Sequence, residues 1–213
     1  MLQTVLCGAA CAAAAYLLGS LSFSIIVTRL LYHKDIRTFG SGNAGMTNVL
    51  RTFGKGAAAL TIVGDIGKGI LAVLLAKWAF GAFTAADPIY GAYIAAFCAV
   101  LGHVYPVYFG FKGGKGILVS VAVLMTVEWI PACILLGIFI IVVALTRYVS
   151  LGSCIAAVCY PVTILVYSLI TGDPCVWINV ILSALIAVLI LFMHRGNLVR
   201  LKNHTEKKLG QKA

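Results

Sequence analysis

Apolar residues run along this chain in seven stretches, at 4–29, 56–80, 88–108, 116–130, 131–146, 151–171 and 175–194, separated by short polar segments. A hydrocarbon core of ~30 Å takes about 20 helical residues to cross. The pattern therefore predicts an all-α, polytopic membrane protein with seven transmembrane helices. The step that hydropathy alone leaves open is Ile117 to Thr146, long enough for one tilted helix or two short ones. Glu128, Trp129 and Pro131 stand in its middle, and a charge, an interfacial aromatic and a proline together favour a turn at the membrane surface.

The longest segments that are not mainly apolar, about Tyr32 to Gly56 and His194 to Ala213, are too short to bury cores of their own, so residues 1–213 are expected to form a single integral membrane domain. The first apolar run, about Val5 to Leu31, is too long for a secretory leader and has Arg29 after it rather than before; it is expected to be a retained first span. Charge placement then orients the bundle. With seven spans and the amino terminus outside, the cytoplasmic segments hold Arg29, Lys34, Arg37, Arg51, Lys55, Lys112, Lys115, Arg147 and the basic tail from Arg195 to Lys212. The outer turns offer only Lys77, Asp87, Glu128 and Asp173. This asymmetry follows the positive-inside rule and puts the carboxyl terminus in the cytoplasm, whereas a single span over 117–146 would put the basic tail on the wrong side.

Composition agrees: 62% of residues are hydrophobic, only 10% are charged, and the mean hydropathy is +1.06, far from a soluble domain. The formal charge of +10 sits in short loops between apolar runs without a nucleic-acid recognition motif, so anionic lipid or a phosphorylated substrate is the expected partner and nucleic acid is not. Cys7, Cys11, Cys98, Cys133, Cys154 and Cys159 lie inside apolar stretches with no Cys-x-x-Cys pair, which excludes a disulfide framework or zinc site and leaves packing as their role.

Three basic, glycine-rich segments carry the candidate chemistry, and the predicted topology puts all three on the cytoplasmic side. The first, GSGNAGMTNVLRTFGKG from Gly40 to Gly56, has a formal G-x-G-x-x-G match at Gly40, Gly42 and Gly45, but it follows a membrane span rather than a strand, so a dinucleotide fold is excluded. It offers glycine-freed backbone amides at Gly40 and Gly42, hydroxyls at Ser41 and Thr47, carboxamides at Asn43 and Asn48 and a guanidinium at Arg51, the parts of a phosphate cradle. The second, GHVYPVYFGFKGGKG from Gly102 to Gly116, sets Lys112 and Lys115 on either side of Gly113 and Gly114 just before an apolar helix, again suited to a phosphate or to an acyl oxygen becoming negative. His103 there is either a general base or a structural histidine at a helix end. The third, HRGNLVRLKNHTE from His194 to Glu206, spaces His194 and Asn197 to share a face if the last span continues as a helix. Arg195 and Arg200 suit substrate or lipid headgroups, and Lys202, Lys207, Lys208 and Lys212 form a polybasic stretch for anionic lipid. Asp65 and Lys68, i and i+3 inside the second span, either serve the site or pair as scaffold. Ser150 and Ser153 in the turn RYVSLGS are site hydroxyls or plain helix caps.

These segments, in this order and spacing, closely resemble the bacterial membrane-bound glycerol-3-phosphate acyltransferases that use acyl phosphate as donor, the PlsY family. The likeness rests on GSGNAGMTN followed by Arg51, on GHVYP with FKGGKG, and on His194-x-x-Asn197 with Arg200, Leu201 and Glu206, and it covers nearly the whole chain. The resemblance implies a seven-helix protein of the bacterial inner or plasma membrane with a cytoplasmic active site. It implies acylation of the 1-hydroxyl of sn-glycerol 3-phosphate to lysophosphatidic acid with release of inorganic phosphate, the first step of phospholipid synthesis. Neither acyl-CoA nor acyl-carrier protein is the implied donor, and no metal or other cofactor is implied. Carried to matching positions, the phosphate-binding set includes Ser41, Arg51, Lys112 or Lys115 and a serine of the RYVSLGS turn, with His194 and Asn197 beside the glycerol.

The residues are consistent with such a reaction. An acyl phosphate already has a good leaving group, so a covalent nucleophile is unnecessary, and cations with loop amides would offset the repulsion between two phosphorylated substrates. The base that takes the hydroxyl proton is left among His194, His103 and a substrate phosphate. The His-x4-Asp signature of other acyltransferases is absent: five positions after each histidine stand Thr38, Tyr108, Val199 and Leu209. A transporter or binder of phosphorylated small molecules is the alternative, disfavoured because transport sites sit near the membrane midplane.

Overall fold

The computed structural model describes residues 1–173 and 175–211; Lys212, counted above in the basic tail, lies outside the described residues. Among the described residues ten α-helices follow one another: α1 (Leu2–Gly19), α2 (Phe23–Tyr32), α3 (Met46–Phe53), α4 (Lys55–Phe83), α5 (Pro88–Val104), α6 (Ile117–Val127), α7 (Trp129–Thr146), α8 (Val149–Thr171), α9 (Val176–Met193) and α10 (Arg195–Lys202). Short 3₁₀ turns stand at Ile36–Thr38 and Val107–Phe109. Among the described residues there is no strand.

Among the described residues, six segments are long and apolar enough to cross a membrane: Leu2–Tyr32, Lys55–Phe83, Pro88–Phe109, Trp129–Thr146, Val149–Thr171 and Val176–Met193. Helix α6 has 11 residues, about 16 Å at ~1.5 Å per residue, well short of a hydrocarbon core of ~30 Å. The expected break in 117–146 is present and is confined to Glu128, whose backbone is extended at φ −142° and ψ 84°. Pro131 lies inside the first turn of α7, where its missing N–H costs no helical hydrogen bond.

The first apolar run is not one straight helix. It breaks at Ser20–Ser22, three residues that hydropathy does not flag. Ser20 Oγ donates to the Tyr16 carbonyl at 2.8 Å, the Ser22 and Ser24 hydroxyls meet at 3.1 Å, and all three serines are fully buried. At the break the amides of Ile25 and Ile26 both turn to the Ser22 carbonyl. The Leu21 carbonyl, passed over by both amides, instead accepts from Lys68 Nζ at 2.7 Å. A buried ammonium thus completes a backbone interaction that the kink opened.

The chain packs as two compact units, Met1–Val127 and Glu128–Gln211. In the first, α4 is central and touches α1, α2, α3, α5 and α6, while α1 also packs along α5. That contact is close because Gly102 has no Cβ: one placed there would run into the Tyr16 carbonyl. In the second unit α8 packs against both α7 and α9, and α10 lies against α8 and α9. Its carboxyl-terminal segment folds back on the α7–α8 turn: the Leu209 amide donates to the Arg147 carbonyl at 2.7 Å, and Arg147 Nη2 donates to the Leu209 carbonyl at 2.9 Å.

Candidate functional site

In the first unit the segment 36–45 coils around one side chain. Asn48, on the first turns of α3 and buried, donates through Nδ2 to the carbonyls of Phe39 at 2.9 Å, Asn43 at 3.1 Å and Ile36 at 3.3 Å. Its Oδ1 accepts the Ser41 amide at 3.1 Å. The carboxamide is therefore used on the loop's own backbone. Gly40, at φ +56°, passes so close to that amide that a Cβ would strike Asn48 Oδ1, and Gly42, at φ +70°, completes the turn by donating its amide to Phe39. The result presents Ser41 and Gly42 to solvent, with Asn43 half-buried beside them and Arg51 one turn beyond Asn48 on α3, partly exposed.

The FKGGKG loop is laid flat against the end of α5. The Gly113 amide donates to Val104 O and the Gly114 amide to His103 O, each at 3.1 Å. A Cβ on Gly113 would collide with the His103 carbonyl, and one on Gly114 with His103 Nε2, coming within 2.8 Å of the Ala44 carbonyl. Both glycines are thus required by close approach, and the second brings the two glycine loops into contact at Ala44. Lys112 is exposed and Lys115 partly so.

Beneath that loop lies a buried cluster. Lys68 Nζ is 2.8 Å from Asp65 Oδ1 and 3.1 Å from His103 Nδ1, and His103 Nδ1 is 3.7 Å from the same carboxylate oxygen. All three side chains are at most 4% exposed, so the charges are paired rather than solvated. An ammonium only donates, so His103 Nδ1 accepts and the proton of the neutral ring sits on Nε2. The structure joins Asp65, Lys68 and His103 as one support under Gly114.

Arg37, counted from the sequence only as a cytoplasmic positive charge, organises the entry to the first loop together with Asp35. Asp35 accepts from the Arg37 amide at 3.0 Å, from Arg37 Nε at 3.0 Å and Nη2 at 2.8 Å, and from Arg29 Nη2 at 2.8 Å. The Arg37 bonds, helped by Arg29, hold its carboxyl well below the usual carboxylate range, against the opposing effect of partial burial; pairing with Asp35 raises the Arg37 guanidinium in turn. The signal available in sequence was Asp-x-Arg immediately before a glycine loop, an Asx-type turn with its own counter-ion.

In the second unit α9 passes into α10 through His194, whose amide and carbonyl keep the helical hydrogen bonds to Ile190 and Leu198. The span therefore does continue, and His194 and Asn197 are both buried. His194 Nδ1 lies 2.8 Å from the Ile190 carbonyl, which can only accept. Nδ1 therefore carries a proton, and in the neutral ring the lone pair is on Nε2. Asn197 Nδ2 donates to Glu206 Oε1 and Arg200 Nε to Glu206 Oε2, both at 2.7 Å. Burial opposes the Glu206 charge, but these two donors outweigh it and its carboxyl is held below the ordinary glutamate value. Ser150 Oγ is buried beside the same carboxylate, near enough to favour its charge yet short of hydrogen-bond geometry. Neither serine caps α8: Tyr148 is the N-cap residue, and the Ser153 hydroxyl donates to the Val149 carbonyl at 2.9 Å. Arg195 turns back to the Phe192 carbonyl and ring. Among the described residues no three His, Cys, Asp or Glu side chains gather as a metal site.

An apolar helical bundle whose polar residues gather in cationic glycine loops at the helix ends defines an integral membrane protein built to place charge beside lipid. Kinship makes the class specific. The family model described as glycerol-3-phosphate acyltransferase matches residues 9–204, and the chain belongs to that family. It is 42% identical over 201 residues to the glycerol-3-phosphate acyltransferase of Clostridioides difficile, covering 94% of this chain and 95% of that one. It is 44% identical over 198 residues to that of Syntrophomonas wolfei, covering 93% and 95%. The crystal structure of PlsY, an integral membrane glycerol 3-phosphate acyltransferase, in its glycerol 3-phosphate form is similar with a TM-score of 0.81 and 33% identity, covering 95% of this chain and 96% of that one. The lysophosphatidic acid form of that protein has a TM-score of 0.79, with 32% identity and 95% of each chain covered.

Proposed function

We propose that the protein transfers an acyl group from acyl phosphate to the 1-hydroxyl of sn-glycerol 3-phosphate, giving lysophosphatidic acid and inorganic phosphate, the first step of phospholipid synthesis. The observation that carries this reading is the full-length likeness to PlsY, solved with this acceptor and with this product. The positive-inside charge pattern supports seven spans in a bacterial inner membrane, amino terminus outside, carboxyl terminus and active face cytoplasmic, with α6 as the short fourth span. The whole chain, 1–213, acts as one acyltransferase domain.

In this mechanism the backbone of Gly40, Ser41 and Gly42, with Asn43 and Arg51, holds one phosphate, and Asn48 positions that loop. Lys112 and Lys115, carried by Gly113 and Gly114, hold the other and meet the charge that develops on the acyl oxygen. Ser150 and Ser153, in the second unit, are assigned to phosphate binding. His194, held by the Ile190 carbonyl, and Asn197, held by Glu206, are assigned to the glycerol. The acceptor oxygen bonds to the acyl carbon, the carbon–oxygen bond to phosphate breaks, and the hydroxyl proton leaves to His194 Nε2 or to the departing phosphate. His103, with its ring used beneath Gly114, supports the loop together with Asp65 and Lys68. Two cationic loops and no covalent nucleophile suit a donor that brings its own phosphate.

The test is turnover of purified protein with glycerol 3-phosphate and either acyl phosphate or acyl-CoA. Lysophosphatidic acid from acyl phosphate alone is the expected result; product from acyl-CoA at comparable rate overturns the donor assignment, and no product from either overturns the reaction.

A further inference from the structure

A guanidinium is a planar fork with five N–H donors, and the side facing away from one partner is free to hold another. Arg37 uses both sides. Nε and Nη2 face the two oxygens of Asp35 at 3.0 and 2.8 Å. Nη1, on the other side, donates to the Phe109 carbonyl at 2.6 Å and to the Lys112 carbonyl at 3.3 Å. Those two carbonyls flank the tight turn at Gly110 (φ +65°) and Phe111 (φ +58°), where helical partners are lost and a side-chain donor is needed.

Asp35 makes the anchor rigid, because it also caps the 36–38 turn and is shared with Arg29. The charge of Arg37 is answered by that carboxylate. Its main chain lies directly under the first glycine turn: the Arg37 carbonyl is 3.4 Å from where a Cβ of Gly42 would stand. One residue thus supports the Ser41–Gly42 turn by its backbone and grips the start of FKGGKG by its side chain. The Ala44–Gly114 approach joins the same two loops at a second point, so their separation is fixed at both ends.

We infer that Arg37 is a positioning residue for the acyl transfer proposed above, setting the distance between the phosphate loop at Ser41 and the lysine loop at Lys112. The inference rests on that proposal. Each loop keeps its own contacts without Arg37, so loss of the fork leaves each substrate bound and spoils their mutual register.

The experiment uses full-length protein in detergent, wild type beside Arg37→Met and Arg37→Lys, with kcat and KM for both substrates and timed trypsin cleavage after Lys112. Misplacement of bound reactants predicts a fall in kcat of roughly 10- to 100-fold with both KM values within about threefold of wild type. Arg37→Lys keeps the charge without the fork and should recover less than about a third of the lost rate. Cleavage after Lys112 should quicken in both variants. Unchanged kcat beside a normal wild type overturns the inference alone, as does a rise in KM that accounts for the whole loss, which would make Arg37 a substrate ligand. A wild type that makes no lysophosphatidic acid overturns the acyl-transfer reading instead, and the inference with it. If Arg37→Met does not fold, Arg37→Lys carries the same comparison.

Discussion

The Ser41 amide donates to the carboxamide oxygen of Asn48 at 3.1 Å, so the hydroxyl at the tip of the first glycine loop is aimed by a side chain on the helix that follows it. The relation is expected to govern activity. Asn48→Ala removes the acceptor of one amide and the donor of three carbonyls in a buried setting, at a cost of about 2–3 kcal/mol. Lysophosphatidic acid formation should fall at least about tenfold, since a displaced binding group loses rate steeply. Asn48→Asp keeps the acceptor but points oxygen at three carbonyls and should be no better. Near-normal turnover in Asn48→Ala would remove Asn48 as the loop's organiser.

Gly114 and Gly137 form a matched pair. A methyl at Gly114 meets His103 and Ala44, whereas one at Gly137 meets nothing within 4 Å. Gly114→Ala should abolish most turnover and lower the thermal midpoint in detergent. Gly137→Ala, in the interior of α7, should leave turnover unchanged and stability equal or slightly higher, because alanine favours helix by up to about 1 kcal/mol. Equal behaviour of the two variants would mean the FKGGKG loop is not held against α5 as described.

The Asp65–Lys68 pair predicts a non-additive double mutant. Lys68→Met alone strands a buried carboxylate and removes the donor to Leu21, and breaking such a pair costs about 3–5 kcal/mol. Asp65→Asn with Lys68→Met removes both charges and should unfold at a higher temperature than Lys68→Met alone. A double variant as unstable as the sum of the single ones would show that the two side chains act independently.

Glu206 supplies a pH dependence. Its carboxyl is held below the ordinary glutamate value by Asn197 and Arg200 acting against burial, so the folded state binds this proton less readily than the unfolded chain. The stabilisation is fully present above the unfolded value, about pH 4.3, and is lost as pH falls through the lower folded value. The difference in thermal midpoint between wild type and Glu206→Gln should be flat from pH 6 to 8 and shrink in acid. A difference that grew as pH fell would reverse the assignment.

Much of the bundle was legible because hydrophobic length is a local property. The ends of the spans lie within a few residues of the expected ones, and the turn at Glu128 is where a charge, a tryptophan and a proline place it. What was illegible depends on partners far along the chain. Nothing around Ser20 reveals that Lys68 waits across the bundle, so the kink in the first span is invisible to hydropathy. Asn48 looks like a ligand because its chemistry is that of a ligand; only the coil of residues 36–43 shows where its hydrogen bonds go. Arg37 counts as one more inside positive until the carbonyl of Phe109, 72 positions later, is beside it. The Ser150 and Ser153 reading as caps fails because Tyr148 already occupies the cap position.

The bond from Lys68 to Leu21 also ties the shape of the first span to a residue made later in the chain. Residues 2–32 precede residue 68 in synthesis, so the first span leaves the ribosome ahead of the ammonium that completes its kink. In hydrocarbon a bare carbonyl is costly, whereas the ammonium already has its counter-charge in Asp65, one turn away on the same helix. The bend at Ser20–Ser22 thus has two parts, the serine bonds the first span makes by itself and one carbonyl satisfied only when α4 packs beside it.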